Sequence, residues 1–402
     1  MNPNVIKTDP VLSTYYADLH IHIGRTGYGD AVKISGSRDL TFVGIAKEAA
    51  ERKGIDLIGI IDAHSPVVQR DIIEALDSGE MTEIDGGGIG YKGTVILLGT
   101  ELEVREPGRK EFHLLAYFRT LKEMESFTDY LSRYMKNVNL SSQRVYVPAM
   151  ELQREIISRG GIFVPAHIFT PHKGIYGSTA HRMEEVLDLS LISAVELGLS
   201  SDTEMAGYIS ELDRYPFLTN SDAHSLAKIG REYNELAMAE ASFDEFKLAL
   251  QSQAGRRIEA NYGLNPRLGK YHRTYCALCS SILDEEQISE ERCPYCGRDT
   301  KLIHGVLDRI LSISDRETPL VSDHRPPYHY QVPLEFIPGL GKVKLRMLIE
   351  AFGSEMAILH RVSEVDLASI VGNELAGLIV RARNGELGLS AGGGGTYGRV
   401  SL

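Results

Sequence analysis

Short apolar runs that end at histidines or acidic residues recur between residues 15 and 252, and they constrain the fold more than any other feature. The runs are rich in β-branched residues and alternate with helical patterns, an order that predicts β/α units arranged around a barrel or a parallel sheet. The predicted strands are 56–61, 95–99, 112–118, 161–165 and 194–197, and the predicted helices are 42–52, 121–135, 149–159 and 243–251.

Histidines and acids at the ends of these runs form the predicted site. His20 and His22 alternate along one extended segment, so both side chains leave the same face of the strand. The other members are Asp62, His64, Glu101, His113, His167, Glu196, Asp222 and His224. Because the carboxyl ends of barrel strands meet on one face, this set predicts a site for two or three divalent ions of the zinc, manganese or iron class. His172 and His181 stay open between loop residues and substrate contacts.

All four cysteines of the chain lie in two C-x2-C pairs that are separated by 13 residues: Cys276, Cys279, Cys293 and Cys296. Four thiolates at this spacing predict one structural zinc ion in a reducing compartment, so we expect a cytoplasmic protein. Direct contact of this module with DNA stays open. No apolar stretch approaches the roughly 20 residues of a membrane span, and no membrane partner is expected.

The formal net charge of -12 argues against a surface that is uniformly basic for nucleic acid. The charge is uneven, however, because residues 256–361 carry 15 lysines and arginines against 14 acids. The acidity therefore belongs mainly to the N-terminal part, where several carboxylates are candidate metal ligands. Bound cations would reverse the local sign of the charge.

Residues 336–346 resemble a helix-hairpin-helix, whose Gly-x-Gly turn exposes backbone amides at a helix N-terminus. Such amides bind phosphate without reading sequence, and neighbouring cationic side chains add charge. The residues expected to contact DNA are Gly339, Gly341, Lys342, Lys344 and Arg346. The alternative is a plain tight hairpin of two helices. A weaker second copy over 367–383 is expected to pair with the first.

The ordered motifs of the N-terminal part are similar to those of the PHP (polymerase and histidinol phosphatase) phosphoesterases over about residues 15–250. The similarity rests on Glu101, on His113 and on the strings DLHIH at 18–22, IDAH at 61–64, PAH at 165–167 and SDAH at 221–224. This resemblance implies a distorted seven-stranded β/α barrel with a trinuclear metal centre.

By motif, the resemblance also implies which residues hold each ion. His20, His22, Glu101 and Asp222 would hold one ion together with its catalytic water. Glu101 would bridge to a second ion held by His113 and His167, and His64 and His224 would hold the third. The family usually has a further histidine or aspartate shortly after the second histidine, and Asp30 is the one substitute in this segment.

The whole order of barrel, four-cysteine module, proline-rich link 325–328 and helix-hairpin-helix is similar to the endonuclease Q family of DNA repair enzymes over nearly the full chain. The resemblance implies incision on the 5′ side of a deaminated base (uracil, hypoxanthine or xanthine) or of an abasic site, with the damaged nucleotide extruded from the duplex. Candidates for stacking on that base, as opposed to packing in the core or linker, are Tyr271, Tyr275, Tyr328 and Tyr330.

The chain is thus expected to comprise a barrel over 1–255, a zinc module and linker over 256–332, a helix-hairpin-helix region over 333–390 and a flexible tail with four glycines over 391–402. DNA is the expected partner, and no replication or repair protein is identified. Two alternatives are a DNA exonuclease or phosphatase that ignores lesions and a non-catalytic DNA-binding protein with a degenerate barrel.

Overall fold

The computed structural model describes residues 11–269, 271–283, 292–298, 302–390, 392 and 398–401. It has the predicted mixed α/β architecture, with a ten-stranded main sheet, and the helices of the C-terminal part follow the cysteine module. Within these residues, no helix is both long enough and apolar enough to cross a membrane.

Sixteen strands are defined in the described residues. The strands of the main sheet are β1 Ser13–Ile21, β2 Leu57–Ile60, β3 Thr82–Glu83, β4 Ile89–Tyr91, β5 Thr94–Arg105, β6 Glu111–Phe118, β7 Ile162–Pro165, β10 Tyr233–Met238, β11 Arg257–Gly263 and β14 Tyr328–Tyr330. Three further pairs are β8 Val195–Glu196 with β9 Phe217–Leu218, β12 Tyr275–Cys276 with β13 Leu302–Ile303, and β15 Gly388–Ser390 with β16 Arg399–Ser401.

The barrel part of the sheet runs through β1, β2, β5, β6 and β7, and β1 pairs with β2 and β2 with β5 in parallel. Backbone hydrogen bonds from Ile168 to Glu196 (2.9 Å) and from Ser193 to Phe163 (3.0 Å) join the β7 region to β8. A parallel bridge between Ile21 and Ala223 brings the segment after β9 back to β1. The predicted class is confirmed, although the number of strands agrees only roughly with seven because β3, β4, β10, β11 and β14 extend the sheet.

Eleven α-helices are defined in the described part of the chain. They are α1 Phe42–Lys47, α2 Pro66–Asp77, α3 Leu121–Leu131, α4 Ala149–Ser158, α5 Thr203–Ala206, α6 Phe243–Leu250, α7 Val306–Ile313, α8 Lys342–Phe352, α9 Glu355–His360, α10 Glu364–Val371 and α11 Asn373–Arg383. Helix α3 shows why the barrel helices form: Thr120 caps its first turn, and Leu121, Met124 and Phe127 bury one face at helical spacing.

Two predicted helices end earlier than expected. Helix α1 stops at Lys47 and continues as a π-helical turn over Glu48–Lys53, which closes at Gly54 in the left-handed region. Helix α3 stops at Leu131, because the chain turns and Met135 then pairs with Val145 as a β-bridge. In α3, a bridge to a segment ten residues further along thus overrides the helical pattern of the sequence.

The flexible tail expected over 391–402 stays a prediction, and the structure describes residues 392 and 398–401 of it. Arg399–Ser401 pairs antiparallel with Gly388–Ser390, so backbone hydrogen bonds hold this part of the tail. Three of the four consecutive glycines, 393–395, lie outside the described residues, whereas the Gly392 amide donates to the Arg267 carbonyl at 2.7 Å.

Candidate metal centre and nucleic-acid interface

The end of β1 presents two imidazoles to one buried point. His20 Nε2 lies 3.5 Å from Glu101 Oε1 and 3.5 Å from Asp222 Oδ1, and His22 Nε2 lies 3.6 Å from Glu101 Oε2 and 3.6 Å from Asp222 Oδ1. Two ligand atoms that are each about 2.1 Å from one tetrahedral ion lie about 3.4 Å apart. His20, His22 and Glu101 therefore have the spacing of donors around one divalent cation, and Asp222 faces both histidines while it groups with His22 and His224.

Glu101 also faces a second group of donors. Its Oε1 atom lies 2.8 Å from His113 Nδ1 and 3.2 Å from His167 Nε2, while its Oε2 atom faces His22. The ligand atoms of Glu101, His113 and His167 all lie within 4.8 Å of one another. Because Oε1 also faces His20 at 3.5 Å, Glu101 belongs to both groups of imidazoles, which is the position that a bridging ligand needs.

Two of these side chains stand on strained backbone. His167 has φ of +28° and Asp222 has φ of +45°, both in the region that non-glycine residues rarely adopt. Gly198 packs against His167 so closely that a Cβ atom there would lie 2.9 Å from the Cβ of His167. Strain of this kind persists at sites where the surrounding structure enforces it for function.

Two buried carboxylates orient the histidines of β1. Glu196 accepts from His20 Nδ1 at 2.9 Å, and Asp62 accepts from His22 Nδ1 at 3.1 Å. These bonds place the proton on Nδ1 and leave Nε2 with its lone pair toward the cluster. The sequence grouped Glu196 and Asp62 with the ligands, whereas the structure places both behind the imidazoles.

The electrostatics of the cluster favour cations. Burial opposes ionisation of Asp222 and Glu101, but the neighbouring imidazoles of His20 and His113 hold the pKa of both carboxyls well below their usual range. Burial likewise opposes protonation of His20, yet the carboxylates of Glu196 and Asp222 hold its pKa well above 6.5. Protons and metal ions therefore compete for the same buried donors, and metal binding would release protons.

Unpartnered nitrogen atoms in the cluster also indicate a site for metal ions. The Nε2 atoms of His20, His22 and His64 are buried and have no hydrogen-bond partner in the described part of the structure. A buried polar atom left in that state costs about 1–3 kcal/mol. A cation at the cluster would give His20 and His22 the partner that each of these nitrogens lacks.

The third ion implied by the resemblance has a different environment from the one expected. His224 groups with His22 and Asp222, whereas His64 belongs to none of the donor groups within the described residues. The Nδ1 atom of His64 lies 2.8 Å from Thr100 Oγ1. Asp30, the expected substitute, bonds instead to Thr26 and to Arg70, the latter at 2.6 Å, on the surface.

Sequence reasoning missed the residues that the loops bring to this centre. Lys33 Nζ lies 3.3 Å from Glu101 Oε2 and 2.6 Å from Ser142 Oγ, and the Ser142 hydroxyl donates to the same carboxylate oxygen. Ser141 Oγ lies 3.1 Å from His22 Nδ1. These loop positions follow no strand, so no periodic signal could have found them.

A cleft of about 210 Å³ opens over the cluster. It is lined by His22, Lys33, Glu101, His113, His167, Thr170, His172, Lys173, Asp222 and His224. His172 therefore lines the cleft, in agreement with the substrate contact that was one of its two expected roles. His181 is exposed, and its backbone amide donates to Glu185, so it belongs to the loop.

The four cysteines converge as predicted. Cys276 Sγ lies 3.9 Å from Cys296 Sγ, and Cys279 Sγ lies 3.6 Å from Cys293 Sγ. A tetrahedron with zinc–sulfur bonds of about 2.3 Å has edges of about 3.8 Å, so the spacing fits a four-thiolate zinc site. Cys276 and Cys293 pack with Leu283 in a small core of the module.

The predicted hairpin has the expected backbone. Gly339 has φ of +83° and Gly341 stands at the N-terminus of α8, where no side chain caps the helix. Lys342, Lys344 and Arg346 are exposed. The segment expected to be a second copy also forms two helices around a turn: Gly372 has φ of +86° and precedes α11, and one shallow groove is lined by both turns. These geometries suit phosphate binding, which itself stays a prediction.

Of the four tyrosines considered for base stacking, Tyr275 is buried in β12 and is unsuited to the role. Tyr328 and Tyr330 are half-buried, and the Tyr330 hydroxyl donates to Asp202 at 2.8 Å. Tyr271 makes an edge contact with His172, with ring centroids 5.8 Å apart. The module thereby reaches the rim of the metal cleft.

The barrel, its shared carboxylate and its oriented imidazoles define a mixed α/β phosphoesterase of the PHP type. The family described as PHP-associated matches residues 202–254. The chain belongs to the endonuclease Q family, because it is 30% identical to the lesion-specific endonuclease PfuEndoQ of Pyrococcus furiosus, with a TM-score of 0.83 over 97% of this chain and 96% of that one.

A second solved structure and a bacterial relative also match nearly the whole chain. An endonuclease Q structure in complex with a 27-mer duplex that carries an abasic lesion at the active site is 30% identical, with a TM-score of 0.84 over 97% of both chains. The Bacillus subtilis (strain 168) protein YqxK is 52% identical over 388 residues, which is 96% of this chain and 98% of YqxK.

Proposed function

We propose that this chain hydrolyses the phosphodiester bond on the 5′ side of a deaminated base (uracil, hypoxanthine or xanthine) or of an abasic site in DNA. The observation that carries the proposal is the bridging geometry of Glu101 between two groups of imidazoles. It occurs in a chain that matches a lesion-specific endonuclease over 97% of its length. Lesion-dependent incision is therefore the activity that the centre supports best.

We further propose that His20, His22, Glu101 and Asp222 hold one divalent ion and that Glu101, His113 and His167 hold a second. Ions of the zinc, manganese or iron class would supply a nucleophile at neutral pH and neutralise charge on the phosphate. The chain's own contribution is orientation, because Glu196 and Asp62 fix the imidazoles before substrate arrives. The four cysteines would hold one structural zinc ion.

The size of the cleft supports separate binding places for the scissile phosphate and for the damaged base. Ligand pockets for whole small molecules usually span about 300–1,000 Å³. The cleft of about 210 Å³ is smaller than this range, which supports the phosphodiester group as its occupant and a separate place for the damaged base. Tyr271, at the rim through His172, is the tyrosine best placed to meet such a base.

The test uses end-labelled duplexes that are identical except for one central uracil, hypoxanthine, xanthine or abasic site, each incubated with manganese, magnesium or zinc. We expect a single metal-dependent cut immediately 5′ of the lesion and none in the undamaged duplex. A ladder on every duplex would favour the exonuclease alternative. Binding without cleavage under any metal would favour the non-catalytic alternative.

Two aspartate variants provide a matched pair for the same assay. Asp222→Asn removes a charge that faces both β1 histidines, so cleavage should be lost while DNA binding stays nearly unchanged. Asp244→Asn makes the same chemical change at a surface ion pair with Arg119 and should cleave as the wild type does. Full activity of Asp222→Asn would place the chemistry elsewhere.

A further inference from the structure

Lys33 brings a positive charge into the metal centre from a loop. Its ammonium lies 3.3 Å from Glu101 Oε2 and 2.6 Å from Ser142 Oγ, and the side chain is 16% exposed. It lines the cleft together with Asp222 and His224. Within the described residues Lys33 forms its ion pair with Glu101, and no acid at the protein surface competes for the ammonium.

The loop that carries Lys33 is held rigidly. The Lys33 amide donates to the Ile23 carbonyl at 2.9 Å, just after β1, and the Ser37 amide donates to the His224 carbonyl at 2.9 Å. Gly24 packs against this loop so closely that a Cβ atom on Gly24 would lie 1.9 Å from the Ser37 carbonyl oxygen. The ammonium is therefore presented to the cleft from a fixed backbone and does not depend on a mobile surface chain.

The donors available for a third ion are fewer than they first appear. The groups His20–His22–Glu101 and His22–Asp222–His224 share His22. The Nδ1 atom of His22 is engaged by Asp62 and Ser141, so only Nε2 remains, and one imidazole nitrogen binds one ion. The two groups cannot both hold an ion through three protein ligands.

We infer that Lys33 is the third cation of this centre, a side-chain charge that contacts an oxygen of the scissile phosphate beside two metal ions. This inference rests on the proposed phosphodiesterase function and adds a residue to it. Three ammonium hydrogens are available, and contacts with Glu101 and Ser142 leave one for a phosphate oxygen. A fixed donor aimed at developing charge stabilises the transition state more than the ground state.

The first measurement counts ions and does not depend on cleavage. Wild-type protein is loaded with manganese, dialysed, and analysed by mass spectrometry for manganese and zinc per chain. We expect two manganese ions in the barrel and one zinc ion at the cysteines, because thiolates select zinc over manganese. Three manganese ions per chain would overturn the inference, whatever the lesion preference of the enzyme.

The second measurement compares Lys33→Met, Lys33→Arg and the exposed control Lys92→Met, which also loses an ammonium but pairs with Glu51 on the surface. We expect Lys33→Met to keep two manganese ions and duplex affinity but to lose about 100- to 1,000-fold in kcat. Lys33→Arg should recover part of the rate, and Lys92→Met should match the wild type. Loss of manganese from Lys33→Met would mean that Lys33 only positions Glu101, and an unchanged kcat would also refute a contact with the phosphate.

Discussion

Replacement of Glu196 by glutamine tests the orientation of the whole centre. Glu196 accepts three hydrogen bonds: from His20 Nδ1 at 2.9 Å, from the His167 amide at 2.8 Å and from Asn220 Nδ2 at 2.7 Å. Glutamine has the same shape but only one acceptor oxygen. At least one of the three donors must then face the –NH2 group, which is itself a donor.

The magnitude follows from which ligands Glu196 supports. His20 belongs to the first donor group and His167 to the second, so both proposed ions lose an oriented ligand. Loss of such an orienting partner typically weakens metal binding about 10- to 100-fold. That range corresponds to about 1.4–2.8 kcal/mol, which is close to the value of one hydrogen bond to a charged group.

The assay is a manganese titration of Glu196→Gln, read by calorimetry and by the cleavage rate. We expect the midpoint to rise about 10- to 100-fold, with the rate at saturating manganese within several-fold of the wild type. Glu232→Gln, measured at pH 7, is the matched control, since Glu232 is fully buried and burial raises its pKa to about 8, so its acid is mostly neutral at that pH. An unchanged midpoint for Glu196→Gln would refute the orienting role, and a rate that no metal concentration restores would point to a direct part in the chemistry.

Three other predictions follow from the charges and the zinc site. Burial raises the pKa of Glu232 to about 8, against 4.5 in the unfolded chain, so the contribution of Glu232 to wild-type stability should fall as pH rises from 4.5 to 8. The melting temperature of Glu232→Gln should therefore gain on that of the wild type across this window, and a constant difference would contradict the shift. Replacing Lys342, Lys344 and Arg346 by glutamine should weaken binding to every duplex and reduce the slope of log K against log salt by about 2.7, whereas an unchanged slope would refute the hairpin contact. Cys293→Ser should lose the zinc ion and expose the module to protease, measured by metal analysis and limited proteolysis; full zinc retention would refute the four-thiolate site.

The candidate metal ligands could be predicted because they lie at the ends of strands, and the carboxyl ends of barrel strands meet on one face. His20 and His22 share a face by alternation alone, and Asp222 follows a short buried strand. The roles of Glu196 and Asp62 could not be read in this way, because a carboxylate behind an imidazole and one in front of it look identical in sequence. The difference lies in which ring nitrogen each one meets, a property of the folded chain.

Lys33 and Ser142 could not be predicted for another reason. They are 109 residues apart and meet at Glu101 because their loops are joined, with the Ser141 amide donating to the Val32 carbonyl at 3.0 Å. Neither loop has a hydrophobic period that would fix its course, and Ser142 adopts a φ of +52° that its residue type does not signal. Asp30 was expected near the metal ions because it follows His22 closely in the sequence. Its ion pair with Arg70 shows that closeness in sequence does not fix the position of a loop side chain.

The C-terminal helices pack on β1, the strand that ends at the metal centre. His360 of α9 stacks on Tyr16 of β1 at 4.4 Å, and its Nε2 atom lies 2.7 Å from the Tyr233 hydroxyl. Burial lowers the pKa of His360 to about 4, so this contact stays uncharged near neutral pH. Lys53 and Glu355 add a buried ion pair at 3.0 Å. Because the histidines that face the metal site lie at the end of β1, the C-terminal helices are fixed relative to that site. Weaker binding of DNA by the hairpin should therefore lower the affinity without moving the position of the cut.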